Sequence, residues 1–253
     1  MIKSGFFTTF SVSSNGPVWF DEHIERIKYF SEVHNLKINI SKLKSQAADY
    51  FKSESYRFSR LLRCEKSEIC GLHEDKSQKN ESPSDIFNYR NFGKNSVSEV
   101  ERPPYLHRGR VIVDTFTGKY EFTSDTVKPL KEPVLCRLLN IENSLGKIKK
   151  WPFRNLGIPE GGELILVHKK TGEVLEGNFS NIFLRQGDKW FTPLAGDRIL
   201  NGICRCKFID FLKSRGKVVK ECSIKEKKLC ESHIFLSNSL RGVMHGIITN
   251  QDG

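Results

Sequence analysis

The sequence predicts an α+β protein of two lobes: a small α/β lobe first, then a larger lobe whose strands form an antiparallel meander or barrel flanked by helices. Three observations carry this. Strand and hairpin signals recur at both ends of the chain, amphipathic helix signals are few and well separated, and a polar stretch at 65–104 and a proline-bounded segment at 125–133 break the pattern. The lobes are therefore assigned to residues 1–124 and 134–253, with 125–133 as connector. A chain of 253 residues that is 38 % hydrophobic can build a sizeable core in each.

Residues 5–12, GFFTTFSV, read as a strand rich in Phe and Thr, and Asn15-Gly16 is a hairpin turn before the short strand PVWF. Asp21 offers an N-cap, and Ile24, Ile27, Phe30 and Val33 form an apolar stripe on a helix ending near Asn35. A second helix is signalled at 41–51. The run YRFSRLLRC at 56–64 alternates as a strand should, which scatters its arginines over both faces. Between 65 and 104 Ser, Asn, Glu, Lys and Asp dominate, the composition of a mobile insertion. Strand character returns at 110–116 and, after Thr117-Gly118, at 120–123.

In the second lobe, strand signals at 165–167, 174–176, SNIFLR and KWFT make up the meander. A helix follows at 202–214, then a strand at 217–219, a short basic helix near 224–230, and a strand at 233–237 running into Asn238-Ser239-Leu240-Arg241-Gly242-Val243. The stretch from Glu173 to Arg205 reads as a ligand cradle. Glu176 is a carboxylate at its start, Gly177, Asn178, Ser180 and Asn181 make a small polar elbow, and Gly202 and Ile203 offer the N–H groups of a helix N-terminus. These groups suit a ligand that is basic at one end and phosphorylated at the other, as pyridoxal phosphate is.

The wording EGxxSNxF followed by TPxxxxxxLNGICR resembles the fold-type IV family of pyridoxal-phosphate enzymes: branched-chain aminotransferases, D-amino-acid aminotransferases and aminodeoxychorismate lyases. The resemblance covers both ends of the chain and most of the second lobe. It implies that Glu176 pairs with the pyridine nitrogen, and that Arg26, in a His23-x-x-Arg26 segment, binds the phosphate with Gly202, Ile203 and Ser237. SNSLRGV is closest to the lyases, which eliminate pyruvate and leave 4-aminobenzoate. A catalytic lysine is also implied, in the segment Gly146-Lys147-Ile148-Lys149-Lys150-Trp151, which reads as part of a helix interrupted at Pro152. Lys149 is the candidate; Lys147, Lys150 and a degenerate homologue with no such lysine are the alternatives. Thr8 stands where the family has a glutamate.

The net charge of +11 is spread thinly and without interleaved aromatics, which leaves a basic surface attractive to anionic substrates as the reading and a nucleic-acid module as the rival. Seven cysteines, an odd number in apolar contexts, read as reduced; Cys204-x-Cys206 points its thiols apart on a helix and makes a poor metal chelate. No signal peptide or membrane span is read, so a cytoplasmic location is expected. Phe6, Phe7, Phe10, Trp19 and Phe20 exceed what one hairpin can bury. With the family's habit of sharing the active site between subunits, they argue for a homodimer.

Overall fold

The structure, a computed structural model, describes residues 2–66, 105–151, 156 and 161–249; the polar stretch after residue 66 lies outside the described residues. In the first lobe β1 (Gly5–Ser13) is the central strand. It pairs antiparallel with the short β2 (Gly16–Pro17), with β3 (Leu106–Asp114) and with β6 (Lys150–Trp151), and β4 (Tyr120–Val127) flanks β3. Strand alternation gives this sheet two different faces. Phe6, Phe10 and Val12 of β1 with Val111 and Val113 of β3 turn to one side, where α1 (Phe20–Val33) and α2 (Ile40–Lys66) cover them. Phe7, Thr9, Arg108 and Arg110 turn to the other, towards the second lobe.

Three expectations for this lobe are corrected. Residues 56–64 belong to α2 rather than to a strand: the buried stripe Leu43, Ala47, Phe51 and Ser55 runs on at helical spacing, and no Gly or Pro interrupts it. The first helix starts at Phe20, ahead of Asp21, with Trp19 at its N-cap in a left-handed conformation. Phe6, Phe7 and Phe10 are buried within their own chain, and Trp19 and Phe20 are half-buried. Phe6, Phe10 and Phe20 pack with Ile24, Ile27, Phe30 and Phe51, Phe7 packs with Ile2 and Ile112, and Trp19 packs against the cluster around Phe208, so these aromatics supply no argument for a dimer.

The larger lobe is one eight-stranded sheet in the order β11-β10-β9-β12-β13-β5-β7-β8. Its strands are β5 (Val134–Ile141), β7 (Gly162–His168), β8 (Glu173–Gly177), β9 (Asn181–Gln186), β10 (Lys189–Pro193), β11 (Val218–Cys222), β12 (His233–Asn238) and β13 (Gly242–Ile248). A simple antiparallel meander is therefore wrong. β8 and β9, consecutive in sequence, are not neighbours, and β5 pairs parallel with both β7 and β13 while β10 pairs parallel with β11. The sheet curls until its edges almost meet: Val174 N–H donates to Ile224 O at 2.8 Å and Glu226 N–H to Gly172 O at 3.0 Å. Inside the curl lie Val134, Ile165, Ile182, Leu184, Leu236 and Met244. Outside, α3 (Ile203–Ser214) packs Phe208 and Leu212 on Phe183, Trp190 and Phe235.

The expected basic helix near 224–230 shrinks to a single 3-10 turn, Glu226–Leu229. Residues 144–149 are irregular rather than helical and lead into β6. β4 extends to Val127, three residues into the expected connector. Among the described residues no helix is long and apolar enough to cross a membrane.

Candidate active site

The lobes are joined where β1 runs past the irregular segment and the turn after β12: Phe7 N–H donates to Lys149 O at 3.0 Å, and Ser11 N–H to Ser239 O at 3.1 Å. This places Lys149 in the cleft. Its half-buried side chain lines two cavities of about 330 and 250 Å³, and its Nζ stands 5.6 Å from the Phe7 ring centroid. The neighbouring lysines are placed differently. Lys147 pairs with exposed Asp197 at 2.9 Å, and Lys150 is exposed at the rim of the larger cavity only.

Glu176 lines the larger cavity with Lys149, is 6 % exposed, and accepts a hydrogen bond from Leu200 N–H at 3.3 Å. Burial pushes its carboxyl up to about 8, against the opposing pull of the Leu200 N–H and the Lys149 ammonium. Burial likewise lowers the Lys149 ammonium to about 8, helped by Arg26 and opposed by Glu176 and Glu163. An acid and a base with converging pKa values in one cleft can hand over a proton near neutral pH, the usual mark of a reactive site.

Glu163, on β7, escaped the sequence reading. It is fully buried and fixes the elbow after β8, accepting from Phe179 N–H at 3.0 Å and from Ser180 Oγ at 2.9 Å. Its Oε1 lies 2.4 Å from where a Cβ on Gly177 would sit, so the elbow needs glycine there. The elbow also binds the turn after β12, Asn238 Nδ2 donating to Ser180 Oγ at 3.0 Å.

The remaining expected residues gather around the loop before α3. Asn181 Nδ2 donates to Leu200 O at 2.8 Å, while its Oδ1 accepts from Arg205 Nη1 and Cys206 Sγ, both at 3.2 Å. That oxygen lies 2.0 Å from the position of a Cβ on Gly202, so any side chain there would break the set. Arg26 Nη2 donates to Asn201 O at 2.6 Å, which brings the guanidinium beside the helix N-terminus. Ser237 faces Asn181 across the β12–β9 pairing; its buried Oγ has no hydrogen-bond partner among the described residues. The first N–H groups of α3, at Gly202 and Ile203, have no acceptor within their own helix. Lys149 and Glu176 thus share the larger cavity, Arg26 lines a separate one beside Asn201, and Gly202, Ile203 and Ser237 lie next to Asn181 and Asn201.

This donor set suits pyridoxal phosphate. An amine of lowered pKa can take the aldehyde, a buried carboxylate can hold a protonated ring nitrogen, and a guanidinium, a helix N-terminus and an unpartnered hydroxyl can hold a phosphate.

Residues 158–246, which span β7 to β13, match the family model for amino-transferase class IV. The chain is 25 % identical over 249 residues to a protein of Thermotoga maritima named a probable branched-chain-amino-acid aminotransferase, covering 96 % of this chain and 76 % of that one. Its fold matches that of a 4-amino-4-deoxychorismate lyase from Pseudomonas aeruginosa, with a TM-score of 0.60 at 13 % identity over 96 % of this chain and 82 % of that one. It also matches a PLP-bound hypothetical aminotransferase from Mycobacterium tuberculosis, with a TM-score of 0.66 at 13 % identity over 96 % of this chain and 81 % of that one. Over residues 158–246 the chain is thus similar to the class IV aminotransferases, and its fold is that of solved aminotransferases and aminodeoxychorismate lyases.

Proposed function

We propose that the protein is an aminodeoxychorismate-lyase-type enzyme in which Lys149 carries the cofactor and moves protons, and Glu176 holds the ring nitrogen. Arg26, the N–H groups of Gly202 and Ile203, and Ser237 hold the phosphate. Bound pyridoxal phosphate supplies the electron sink that lets a substrate Cα–H be broken. The chain's own part is to put an unprotonated amine at that hydrogen, to deliver the proton to the methylene carbon of the enolpyruvyl group as its C–O bond breaks so that it departs as pyruvate, and to keep water out.

The observation that carries the lyase reading is the position of the Asn238–Arg241 turn. It lines the smaller cavity, on which Lys149 also opens, and Asn238 ties it to the elbow that follows Glu176. The wording SNSLRGV, which resembles the family's phosphate-side loop and is closest to that of the lyases, thus borders the cavity on which Lys149 opens, which supports the lyase reading. A class IV aminotransferase acting on branched-chain or D-amino acids is the second reading, favoured by the Thermotoga relative. A homodimer in the cytoplasm belongs to the same proposal and rests on the family resemblance.

Product analysis separates the readings. Incubation of the cofactor-loaded protein with aminodeoxychorismate is expected to release pyruvate and 4-aminobenzoate, whereas keto-acid formation from an amino-donor panel without pyruvate release would favour the aminotransferase. The pH dependence of cofactor loading is a further check. Capture of an aldehyde needs the neutral amine, so the loading rate should rise with pH through a midpoint near 8 and level off above it, as the lowered Lys149 pKa requires. A midpoint at the ordinary lysine value of 10.5 would contradict the assignment.

A further inference from the structure

Among the described residues, four buried polar side chains line the larger cavity: Glu176, Asn178, Ser180 and Asn181. Three of them are engaged. Glu176 accepts from Leu200 N–H at 3.3 Å, Ser180 Oγ donates to Glu163 and accepts from Asn238 Nδ2, and Asn181 Nδ2 donates to Leu200 O at 2.8 Å. Asn178 is engaged at one end only. Its N–H donates to Leu164 O at 3.0 Å and its Oδ1 accepts from Leu164 N–H at 2.8 Å, which fixes the orientation of the amide. Its Nδ2 is buried and has no hydrogen-bond partner among the described residues.

An amide N–H that lacks an acceptor is costly once buried, and at 3 % exposure bulk water does not relieve this one. Glu163 does not relieve it either, because its two oxygens are taken by Phe179 N–H and Ser180 Oγ. Two hydrogen bonds to one residue of β7 hold Asn178 rigidly at the cavity wall. It is thus a preorganised donor for what fills the cavity.

Pyridoxal phosphate has a matching acceptor. Its phenolic oxygen stands on the ring carbon once removed from the ring nitrogen, across the carbon that carries the methyl group, whereas the phosphate arm leaves from the opposite edge. A wall that meets the nitrogen with one side chain therefore meets the oxygen with a near neighbour. Asn178 follows Glu176 by two residues and lines the same cavity. With the nitrogen protonated the oxygen is a phenolate, and a hydrogen bond to an ionised acceptor is among the stronger kinds.

We infer that Asn178 is a further cofactor-binding residue, whose Nδ2 donates to the phenolic oxygen of pyridoxal phosphate. The inference rests on the proposed function, which sets Glu176 on the ring nitrogen. The bond holds the phenolate form and, with Glu176, fixes one edge of the ring.

Calorimetric titration of the cofactor-free full chain with pyridoxal phosphate and with its 3-deoxy analogue, which lacks only that oxygen, tests the contact. Comparing the ratio of the two affinities between chains cancels the analogue's own chemistry. Asn178→Leu is expected to lower the ratio of pyridoxal phosphate affinity to analogue affinity at least about tenfold, the size of one hydrogen bond to a charged group. Asn178→Asp keeps an oxygen for Leu164 N–H, which protects the fold, and should lower the ratio as much or more. An unchanged ratio in either folded variant, with both ligands weakened alike or neither affected, would overturn the inference. Failure of borohydride to fix pyridoxal phosphate to Lys149 in the unaltered protein would instead count against the proposed function; calorimetry reads affinity in either case, so the two failures are told apart.

Discussion

Lys149→Ala is expected to leave a folded protein that no longer retains pyridoxal phosphate covalently and that loses roughly 10²–10⁴ of its rate from proton transfer alone. The loss should be specific to this lysine. Lys147 is engaged with Asp197 at the surface, and Lys150 is exposed on β6. Lys147→Ala and Lys150→Ala should therefore stay within a few-fold of the unaltered enzyme. The fold should tolerate Lys149→Ala, because the residue's structural contribution is its carbonyl, which accepts from Phe7 N–H, and alanine keeps that bond. Retained activity and colour in Lys149→Ala would remove the lysine from the mechanism.

Glu176→Gln is expected to separate stability from activity. The amide keeps an oxygen for Leu200 N–H but cannot hold a protonated ring nitrogen by charge, and loss of one such preorganised interaction costs roughly 10²–10³ in rate. The cofactor-free protein should respond in the opposite sense. Glu176 has a folded pKa of about 8 against an ordinary 4.5, so the folded state holds its proton more tightly than the unfolded chain does. Its contribution to stability is therefore fully present below pH 4.5 and is lost as pH rises towards 8. Glutamine escapes that loss. Thermal melting of the cofactor-free variant should match the parent at low pH and exceed it at pH 8. A variant less stable than its parent at pH 8 would show that the ionised carboxylate is well satisfied without cofactor.

Legibility in the sequence followed the kind of signal each element carries. The elbow from Glu176 to Asn181 and the loop from Asn201 to Arg205 could be read because their geometry needs particular residues in a fixed order. Gly202 must clear Asn181, and Arg205 must reach Asn181, Pro193 O at 3.0 Å and Glu221 at 2.7 Å together. α2 was misread beyond residue 55 because a short apolar–polar run fits either period when taken alone. Only the stripe Leu43, Ala47, Phe51 and Ser55 fixes its phase. β5 went unread because VLCRLLNI follows a proline segment and pairs parallel with β7 and β13, both remote in sequence. No local turn announces such a strand.

The site divides along the same line. Lys149, Glu176 and Arg26 stand near recognisable wording, whereas Glu163 is one acidic residue at the start of a mostly apolar strand, and its partners Phe179 and Ser180 meet it only in the fold. Arg108 and Arg110 did carry a signal, two arginines two apart on a strand and hence on one face. The expected strand began at Arg110 and so left Arg108 outside it.

Peptide mapping of protein loaded with pyridoxal phosphate, reduced with borohydride and digested, tests the central assignment most directly. The added cofactor mass is expected on Lys149, with Lys147 and Lys150 unmodified. Cofactor on either neighbour, or no cofactor fixed anywhere in the chain, would contradict it.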